Sequence, residues 1–234
     1  MKLDVLAFAP HPDDVELFCG GTMLKLVSKG FKTGLIDLTR GELGSNGNAE
    51  LRGQESAAAS KILGVSYRKN LEIPDGNIEN IKLNQLKVIN EIRKTRPDLV
   101  ILPYRKDRHP DHENASVLLK DSVFYSGLVK IETDDQAYRP ENIVYYYMHN
   151  VEQPVVIVDI SDFFDKKIEA VSAYKSQFFE KASEKKETFI GSKTFWDFIG
   201  TRARYHGFKI GVEFGEPFFV EHPVKFNNLY KFFA

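Results

Sequence analysis

The feature of this sequence that most restricts its fold is the regular alternation of short apolar segments with longer amphipathic ones. Apolar segments of strand length lie at residues 3–9, 31–39, 65–73 and 98–103, and helical patterns lie between them at 15–29, 49–63 and 81–95. This order of strands and helices is typical of a parallel sheet covered by helices on both faces. We therefore predict an α/β fold, a Rossmann-like three-layer sandwich with a mostly parallel sheet.

The ends of the first two helices are marked by Gly30 and Gly64, which lack a Cβ atom and can adopt the left-handed backbone that closes a helix. Beyond residue 112 the pattern predicts a helix at 112–125, strands at 143–148 and 154–160, and a helix at 163–178. The chain has 234 residues, of which 42% are hydrophobic. That length and composition indicate a single domain over residues 1–234.

The charge balance and the cysteine content exclude several functional classes. Lysine and arginine number 32 against 33 aspartates and glutamates, so no global positive field favours nucleic acid or an anionic membrane surface. The one cysteine, Cys19, cannot form an internal disulfide, and apolar runs stay below the ~18 residues needed to cross a bilayer. We expect a soluble, cytoplasmic protein that binds a small molecule.

Two similar tetrapeptides follow two of the predicted strands: HPDD at residues 11–14 after the first, and HPDH at 109–112 after the fourth. In an open parallel sheet these two strands are commonly neighbours, because the strand order reverses between them, and ligands lie beyond their carboxyl ends. We therefore predict one active site at the carboxyl ends of strands 1 and 4, with the two tetrapeptides facing each other.

Imidazole and carboxylate groups that converge at such a point are suited to a divalent metal, with zinc as the first choice and Fe²⁺ as an alternative. The adjacent Asp13 and Asp14 could divide the work, one as ligand and the other as proton acceptor for amide hydrolysis. A purely structural interpretation is that Pro12 and Pro110 open helices whose first turns favour aspartate. Two similar tetrapeptides at the one place where the strand order reverses favour the metal interpretation.

Together with TRGELGS (39–45), LRGQES (51–56) and IPDG (73–76), the two tetrapeptides resemble the LmbE/PIG-L family of zinc-dependent N-acetylglucosaminyl deacetylases over essentially the whole chain. The resemblance implies a zinc-dependent N-deacetylase. It also implies a role for each motif residue: His11, Asp14 and His112 as zinc ligands, Asp13 as general base, His109 as the imidazole that stabilises the oxyanion or protonates the leaving amine, and Asp111 as the group that orients His109.

The same resemblance places Glu42, Arg52 and Asp75 in the sugar pocket. Carboxylates can accept hydrogen bonds from hydroxyl groups, and a guanidinium donates them in a fixed fork. A structural alternative is an exposed Arg52 that pairs with Glu55 on one helix face. A similar alternative is that Glu42 is an exposed loop residue.

Within the family, AYKSQF (173–178) and RARYHGFKIGVEFGEPF (202–218) are most similar to the enzymes of bacillithiol biosynthesis that deacetylate N-acetylglucosaminyl malate. Malate is a dicarboxylate, so Arg108 and Arg52 are candidates to bind it. The resemblance also implies a homo-oligomer, a hexamer. The aromatic residues near the C-terminus could form its interface or close the domain's own core: Phe214, Phe218, Phe219, Phe226, Tyr230, Phe232 and Phe233.

Other classes of protein fit the sequence less well. The turn after the first strand lacks the G-x-G-x-x-G pattern of dinucleotide-binding oxidoreductases. A receiver-type phosphorylation module does not require histidines in both tetrapeptides, and a non-catalytic binding module does not require Asp13. A metal-dependent deacetylase or amidase of another small N-acyl sugar, or a metal phosphoesterase, remains the main alternative.

Overall fold

A computed structural model describes residues 1–178, 186 and 188–225. Within these ranges seven strands form one sheet: β1 (Val5–Ala9), β2 (Thr33–Asp37), β3 (Tyr67–Asn70), β4 (Leu99–Pro103), β5 (Asn142–Tyr146), β6 (Val156–Asp159) and β7 (Gly215–Phe219). The helices are α1 (Asp14–Ser28), α2 (Ala49–Leu63), α3 (Lys82–Thr95), α4 (Pro110–Ser126), α5 (Phe164–Ser172) and α6 (Lys193–Phe208), with a 3₁₀ turn at Ser161–Phe163.

The strand order in the sheet is β3-β2-β1-β4-β5-β7-β6. The first five strands in this order are parallel, and β7 runs antiparallel to both β5 and β6. Ala7 of β1 lies opposite Leu35 of β2 on one side and Ile101 of β4 on the other. The predicted mostly parallel sheet is confirmed, and so is the reversal of strand order between β1 and β4.

Alternate residues of β1 pack into two different halves of the core. Val5, Ala7 and Ala9 face α1, α2, α5 and α6, whereas Leu6 and Phe8 face α3 and α4. A strand that is buried on both faces needs apolar residues at every position, which explains the unbroken apolar run. The helices on the two faces complete the predicted three-layer sandwich.

The predicted helix over 163–178 was wrong in its extent, because α5 ends at Ser172. The chain then turns inward, where the Tyr174 hydroxyl donates to Glu16 at 2.8 Å and the Ser176 amide donates to Glu55 at 2.6 Å. These buried contacts to α1 and α2 require a turn where the local pattern favours further helix. Both glycine predictions are correct: Gly30 and Gly64 have φ angles of 85° and 73°.

Sequence patterns missed α6 and β7. In β7 the buried Glu216 pairs with the buried Lys167 of α5 at 2.7 Å, and Pro217 follows it. A charged residue and a proline interrupt the apolar pattern that marks a strand. Phe214 and Phe218 are buried, so these two aromatics serve the core. Residues 226–234, with the other predicted interface aromatics except Phe219, lie outside the described residues, as do 179–185 and 187.

None of the helices in the described ranges is long and apolar enough to cross a membrane.

Candidate active site

The loops that follow β1 and β4 meet beyond the carboxyl ends of these strands and enclose a cavity of about 250 Å³. The loops after β2, β3 and β5 complete its walls, together with the chain on either side of residues 179–185. The cavity is lined by His11, Asp13, Asp14, Leu17, Gly41, Leu43, Gly44, Arg52, Asp75, Gly76, His109, His112, His149, Gln177, Phe178 and Ile190.

His11, Asp14 and His112 form a compact set of donor atoms in the wall of this cavity. One donor atom from each lies within 4.8 Å of the others, and all three side chains are nearly inaccessible to solvent. His11 Nδ1 lies 3.3 Å from one Asp14 oxygen, and His112 Nε2 lies 3.5 Å from the other. The fold thus brings together the three groups that the sequence predicts as ligands, although they come from two distant segments.

The electrostatics of this set favour an ionised carboxylate. Burial by itself raises the pKa of Asp14, but the neighbouring His112 and His11 rings hold it well below its usual range. Burial likewise lowers the pKa of His11, but hydrogen bonds to the surrounding carboxylates, first of all Asp111, raise it well above its usual value. The site therefore attracts positive charge, which is what a cation site requires.

Asp13 is buried beside the set and has a backbone φ of 125°, which is unusual for a residue with a Cβ atom. The buried Arg52 of α2 holds this loop, because its Nη2 donates to the Pro12 carbonyl at 2.7 Å and to Asp13 Oδ2 at 3.2 Å. Burial raises the pKa of Asp13 to about 7, against the opposing charge of Arg52. Strained backbone of this kind costs of order 1–3 kcal/mol and persists only where its surroundings enforce it.

His109 precedes α4 and caps it, because its Nδ1 accepts a hydrogen bond from the Asp111 amide at 3.2 Å. Its ring stacks on that of His112 with a centroid distance of 4.8 Å. Burial and the His11 and His112 rings lower the pKa of His109. Since Nδ1 is the acceptor, the neutral ring carries its proton on Nε2.

Asp111 is predicted to orient His109, and it contacts that ring through its backbone amide rather than through its carboxylate. Its amide meets His109, whereas its carboxylate accepts from the Gly76 amide at 2.8 Å and lies 3.3 Å from His11 Nε2. Asp75 Oδ1 also lies close to this nitrogen, at 3.1 Å. Two carboxylates from the loops after β3 and β4 therefore fix the far side of the His11 ring.

The four predicted substrate-binding residues lie in different surroundings. Asp75 lines the cavity, and Glu42 lies behind it with Oε1 accepting from the Asp75 amide at 3.2 Å. Arg52 is buried and donates hydrogen bonds to the loop at residues 12–13. The alternative of an exposed Arg52 that pairs with Glu55 is therefore excluded. Arg108 is exposed and lies 3.9 Å from the centroid of the Phe189 ring, outside the cavity wall.

Asp107 and His149 are site residues that the sequence prediction missed. Asp107 Oδ1 lies 2.9 Å from His112 Nδ1 and 3.0 Å from His149 Nδ1. Burial raises the pKa of Asp107, but the hydrogen bonds to these two rings hold it well below its usual range. A signal for His149 exists in the sequence, because it follows β5, whose carboxyl end lies beside that of β4.

Two overlapping sets could also hold a cation: His11, His109 and Asp111, and Asp107, His112 and His149. In the second set, the Asp107 oxygens already face backbone amides of residues 109, 149 and 150. These donors engage both oxygens of Asp107, whereas among the described residues Asp14 accepts from a backbone amide, that of His11, only at Oδ2. In the first set, two of the donor groups are already engaged by backbone amides. Asp111 Oδ2 accepts from the Gly76 amide, and His109 Nδ1 accepts from the Asp111 amide.

An open α/β sheet with imidazole and carboxylate groups at its switch point defines a class of small-molecule enzyme with a candidate metal centre. Residues 6–123 match the family model of PIG-L, described as GlcNAc-PI de-N-acetylase, and the chain belongs to this family. The predicted resemblance is confirmed, and the chain is a deacetylase, a hydrolase.

Three relatives show how far the likeness extends. Diacetylchitobiose deacetylase of Thermococcus kodakarensis is 30% identical over 91% of this chain and 80% of its own length. A probable N-acetyl-alpha-D-glucosaminyl L-malate deacetylase 2 of Bacillus anthracis is 26% identical over 79% of this chain and 86% of its own. The crystal structure of a conserved protein from Thermus thermophilus is 40% identical, with a TM-score of 0.88 over 97% and 98% of the two chains.

Proposed function

We propose that this protein removes the N-acetyl group from a small N-acetylglucosamine-type sugar, using a divalent cation held by His11, Asp14 and His112. The observation that carries the proposal is the convergence of these three buried donors with the Asp13 carboxyl group in one cavity. Membership of the deacetylase family supports the reaction, and the sugar-acting relatives support the substrate class. Six-subunit assembly and a cytoplasmic location remain predictions.

The chemistry of the donors fits zinc, because two imidazoles and one carboxylate are a common catalytic zinc set and leave a position open. His112 Nδ1 is engaged by Asp107, so Nε2 is the nitrogen that faces Asp14. When bound, the cation supplies a Lewis acid that polarises the amide carbonyl and lowers the pKa of water. The same donors also suit Fe²⁺.

Asp13 is the proposed general base. Its carboxyl group lines the cavity beside Asp14 and is fixed by Arg52, so it can receive the proton of the attacking water without moving. Positioned bases of this kind typically contribute ~10²- to 10⁴-fold to the rate. The backbone of Asp13, with a φ of 125°, is strained in the way that residues at active sites often are.

His109 is the proposed donor to the amide oxygen or to the leaving nitrogen. Its Nε2 carries a proton even when the ring is neutral, because Nδ1 accepts from the Asp111 amide. A neutral donor can stabilise the negative charge that develops on the carbonyl oxygen. Asp111 assists through this amide, while its carboxylate steadies His11.

N-acetylglucosaminyl malate is the particular substrate that we propose, with N,N′-diacetylchitobiose as the second candidate. Asp75 is the proposed contact to sugar hydroxyl groups, with Glu42 behind it. Arg108 favours an anionic aglycone, because it is exposed, directly precedes the cavity residue His109 and has no carboxylate partner among the described residues. The chitobiose relative, at 30% identity, favours the second candidate.

The proposal is tested by measuring acetate release from N-acetylglucosaminyl malate, N-acetylglucosamine and N,N′-diacetylchitobiose side by side. Protein stripped with a chelator should be inactive and should recover when zinc or Fe²⁺ is added. A phosphate monoester in the same assay tests the phosphoesterase alternative. Phosphate release without any amine product would contradict the proposed function, as would full activity in the stripped protein.

A further inference from the structure

Asp107 gathers an unusual number of hydrogen-bond donors around one buried carboxylate. Its Oδ1 faces His112 Nδ1 at 2.9 Å, His149 Nδ1 at 3.0 Å and the His109 amide at 3.1 Å. Its Oδ2 accepts from the amides of His149 at 2.8 Å and Asn150 at 3.3 Å. One side chain thus connects the loop after β4 to the loop after β5 and contacts three of the histidines in the cavity wall.

An ionised carboxylate can only accept hydrogen bonds, so each of these five groups must be a donor. His112 therefore carries its proton on Nδ1, which leaves the lone pair on Nε2. That nitrogen lies 3.5 Å from Asp14 Oδ1, within the donor set of His11, Asp14 and His112. The opposite tautomer would place a proton where a lone pair is needed.

We infer that Asp107 is a positioning residue that fixes the tautomer and the orientation of His112, so that Nε2 is presented to the cation. This inference rests on the proposed function, because it assumes that His112 is a ligand. The ring of His149 stacks on His112 with a centroid distance of 5.7 Å and an interplanar angle of 12°. His149 thereby restrains the same ring from its face, while Asp107 restrains it at its edge.

Replacing the carboxylate by an amide upsets this arrangement in either orientation of the amide. If the Asn oxygen faces the two rings, its NH₂ group faces the amides of residues 149 and 150, and donors oppose donors. If the NH₂ group faces the rings, Nδ1 of His112 must become an acceptor and the proton moves to Nε2. Both outcomes weaken His112 as a ligand. Groups that accept a hydrogen bond from a metal-binding histidine typically contribute ~10- to 100-fold to metal affinity.

The first test measures zinc affinity by competition with a chromogenic chelator, and the melting temperature of the metal-free protein, for Asp107→Asn and Asp107→Glu. We expect zinc binding to weaken about 10- to 100-fold in Asp107→Asn. The matched control is Glu113→Gln, which removes an exposed carboxylate that accepts from the Asp107 amide at 3.1 Å but contacts no ring among the described residues. Unchanged zinc affinity in Asp107→Asn would overturn the inference, as would equal weakening in Glu113→Gln.

A second test needs no Asp107 variant and so does not depend on how well one folds. Nitrogen-15 NMR of the wild-type histidine rings, with His112 assigned by its replacement, should show a proton on Nδ1 with and without zinc. A proton on Nε2 alone would overturn the inference. A wild-type protein that binds no zinc would contradict the proposed function instead, while the metal-free spectrum would still decide the tautomer.

Discussion

Arg52 and Asp13 form a buried pair, with Nη2 of the guanidinium 3.2 Å from Oδ2 of the carboxylate. The same Nη2 atom donates to the Pro12 carbonyl at 2.7 Å, so one arginine restrains both the backbone and the side chain of the loop. Asp13 keeps an unfavourable φ of 125° under this restraint. Arg52 therefore serves the proposed base, and it is not available to pair with a substrate carboxylate at the same time.

The first prediction follows from this pair: Arg52→Ala should lower kcat about a hundredfold, because a small displacement of a catalytic group has an effect of that size. The loss should be equal for N-acetylglucosaminyl malate and for N-acetylglucosamine, since the defect lies in the base. Arg52→Lys, which keeps the charge, should retain intermediate activity. Steady-state kinetics on both substrates check this, and a loss confined to the malate compound would return Arg52 to the role of malate ligand.

The sequence was sufficient to predict the centre of the site. Strand patterns place the tetrapeptides at 11–14 and 109–112 after β1 and β4, and the rule for parallel sheets makes these strands neighbours. As a result, the rings of His11 and His112 come within a centroid distance of 5.4 Å. This part depends on local pattern and a general topological rule, both of which a single sequence contains.

The surroundings of the site depend on contacts between distant segments, which local pattern does not contain. Arg52 and Glu55 look like an exposed pair on α2, yet each is buried by a partner from elsewhere, Asp13 for the first and Ser176 for the second. His149 belongs to the site because β5 lies beside β4. A charged residue is buried when a distant partner satisfies it, and its own sequence context does not reveal that partner.

The second prediction concerns Arg108, which stacks on Phe189 and directly precedes the cavity residue His109. If it binds the malate carboxylates, Arg108→Ala should lower kcat/KM for N-acetylglucosaminyl malate about ten- to a hundredfold, the value of a hydrogen bond to a charged group. N-acetylglucosamine, which has no carboxylate, should be affected much less. The matched control is Arg105→Ala, an exposed arginine of the same loop that lies 5.7 Å from the Tyr104 ring centroid.

The outcome that would contradict the role of Arg108 is an equal loss on both substrates. Such a result would assign the arginine to the sugar ring or to the packing of Phe189. The same loss in Arg105→Ala would indicate a general effect of positive charge on this loop.

The third prediction tests how tightly α1 packs on the end of β6. A Cβ atom at Gly21 would lie 2.8 to 2.9 Å from three side-chain atoms of the buried Ile160, which is too close for a real contact. Gly21→Ala should therefore lower the free energy of unfolding by about 1–3 kcal/mol. Gly53→Ala is the control, because a Cβ there meets nothing within 4 Å on an exposed face of α2, and alanine should stabilise this helix by up to about 1 kcal/mol.

Urea denaturation of the two variants and the wild type measures these changes through the midpoint and slope of unfolding. A Gly21→Ala protein as stable as the wild type would mean that Ile160 can move aside, and that this part of the core is looser than the contact distances indicate.

The last prediction concerns pH and rests on His206, which is buried in α6 far along the chain from the candidate metal ligands. Burial, together with the nearby charges of Arg202 and Lys209, lowers the pKa of His206 from 6.5 to about 4. Between these two values the unfolded chain binds a proton that the folded protein excludes. The stabilising effect of the neutral ring is therefore complete above about pH 6.5 and is lost as the pH falls towards 4.

One proton corresponds to a slope of up to about 1.4 kcal/mol per pH unit. His206→Met should lower the pH slope of the free energy of unfolding by up to this amount, as measured by urea denaturation between about pH 5 and 7. Other groups that titrate in this range, such as Asp13 with its pKa of about 7, contribute to the wild type and the variant alike. His222→Met, at an exposed histidine, should leave the slope as it is in the wild type. If His206→Met keeps the wild-type slope, His206 does not hold its proton less tightly in the folded protein than in the unfolded chain, and the dependence must come from another group.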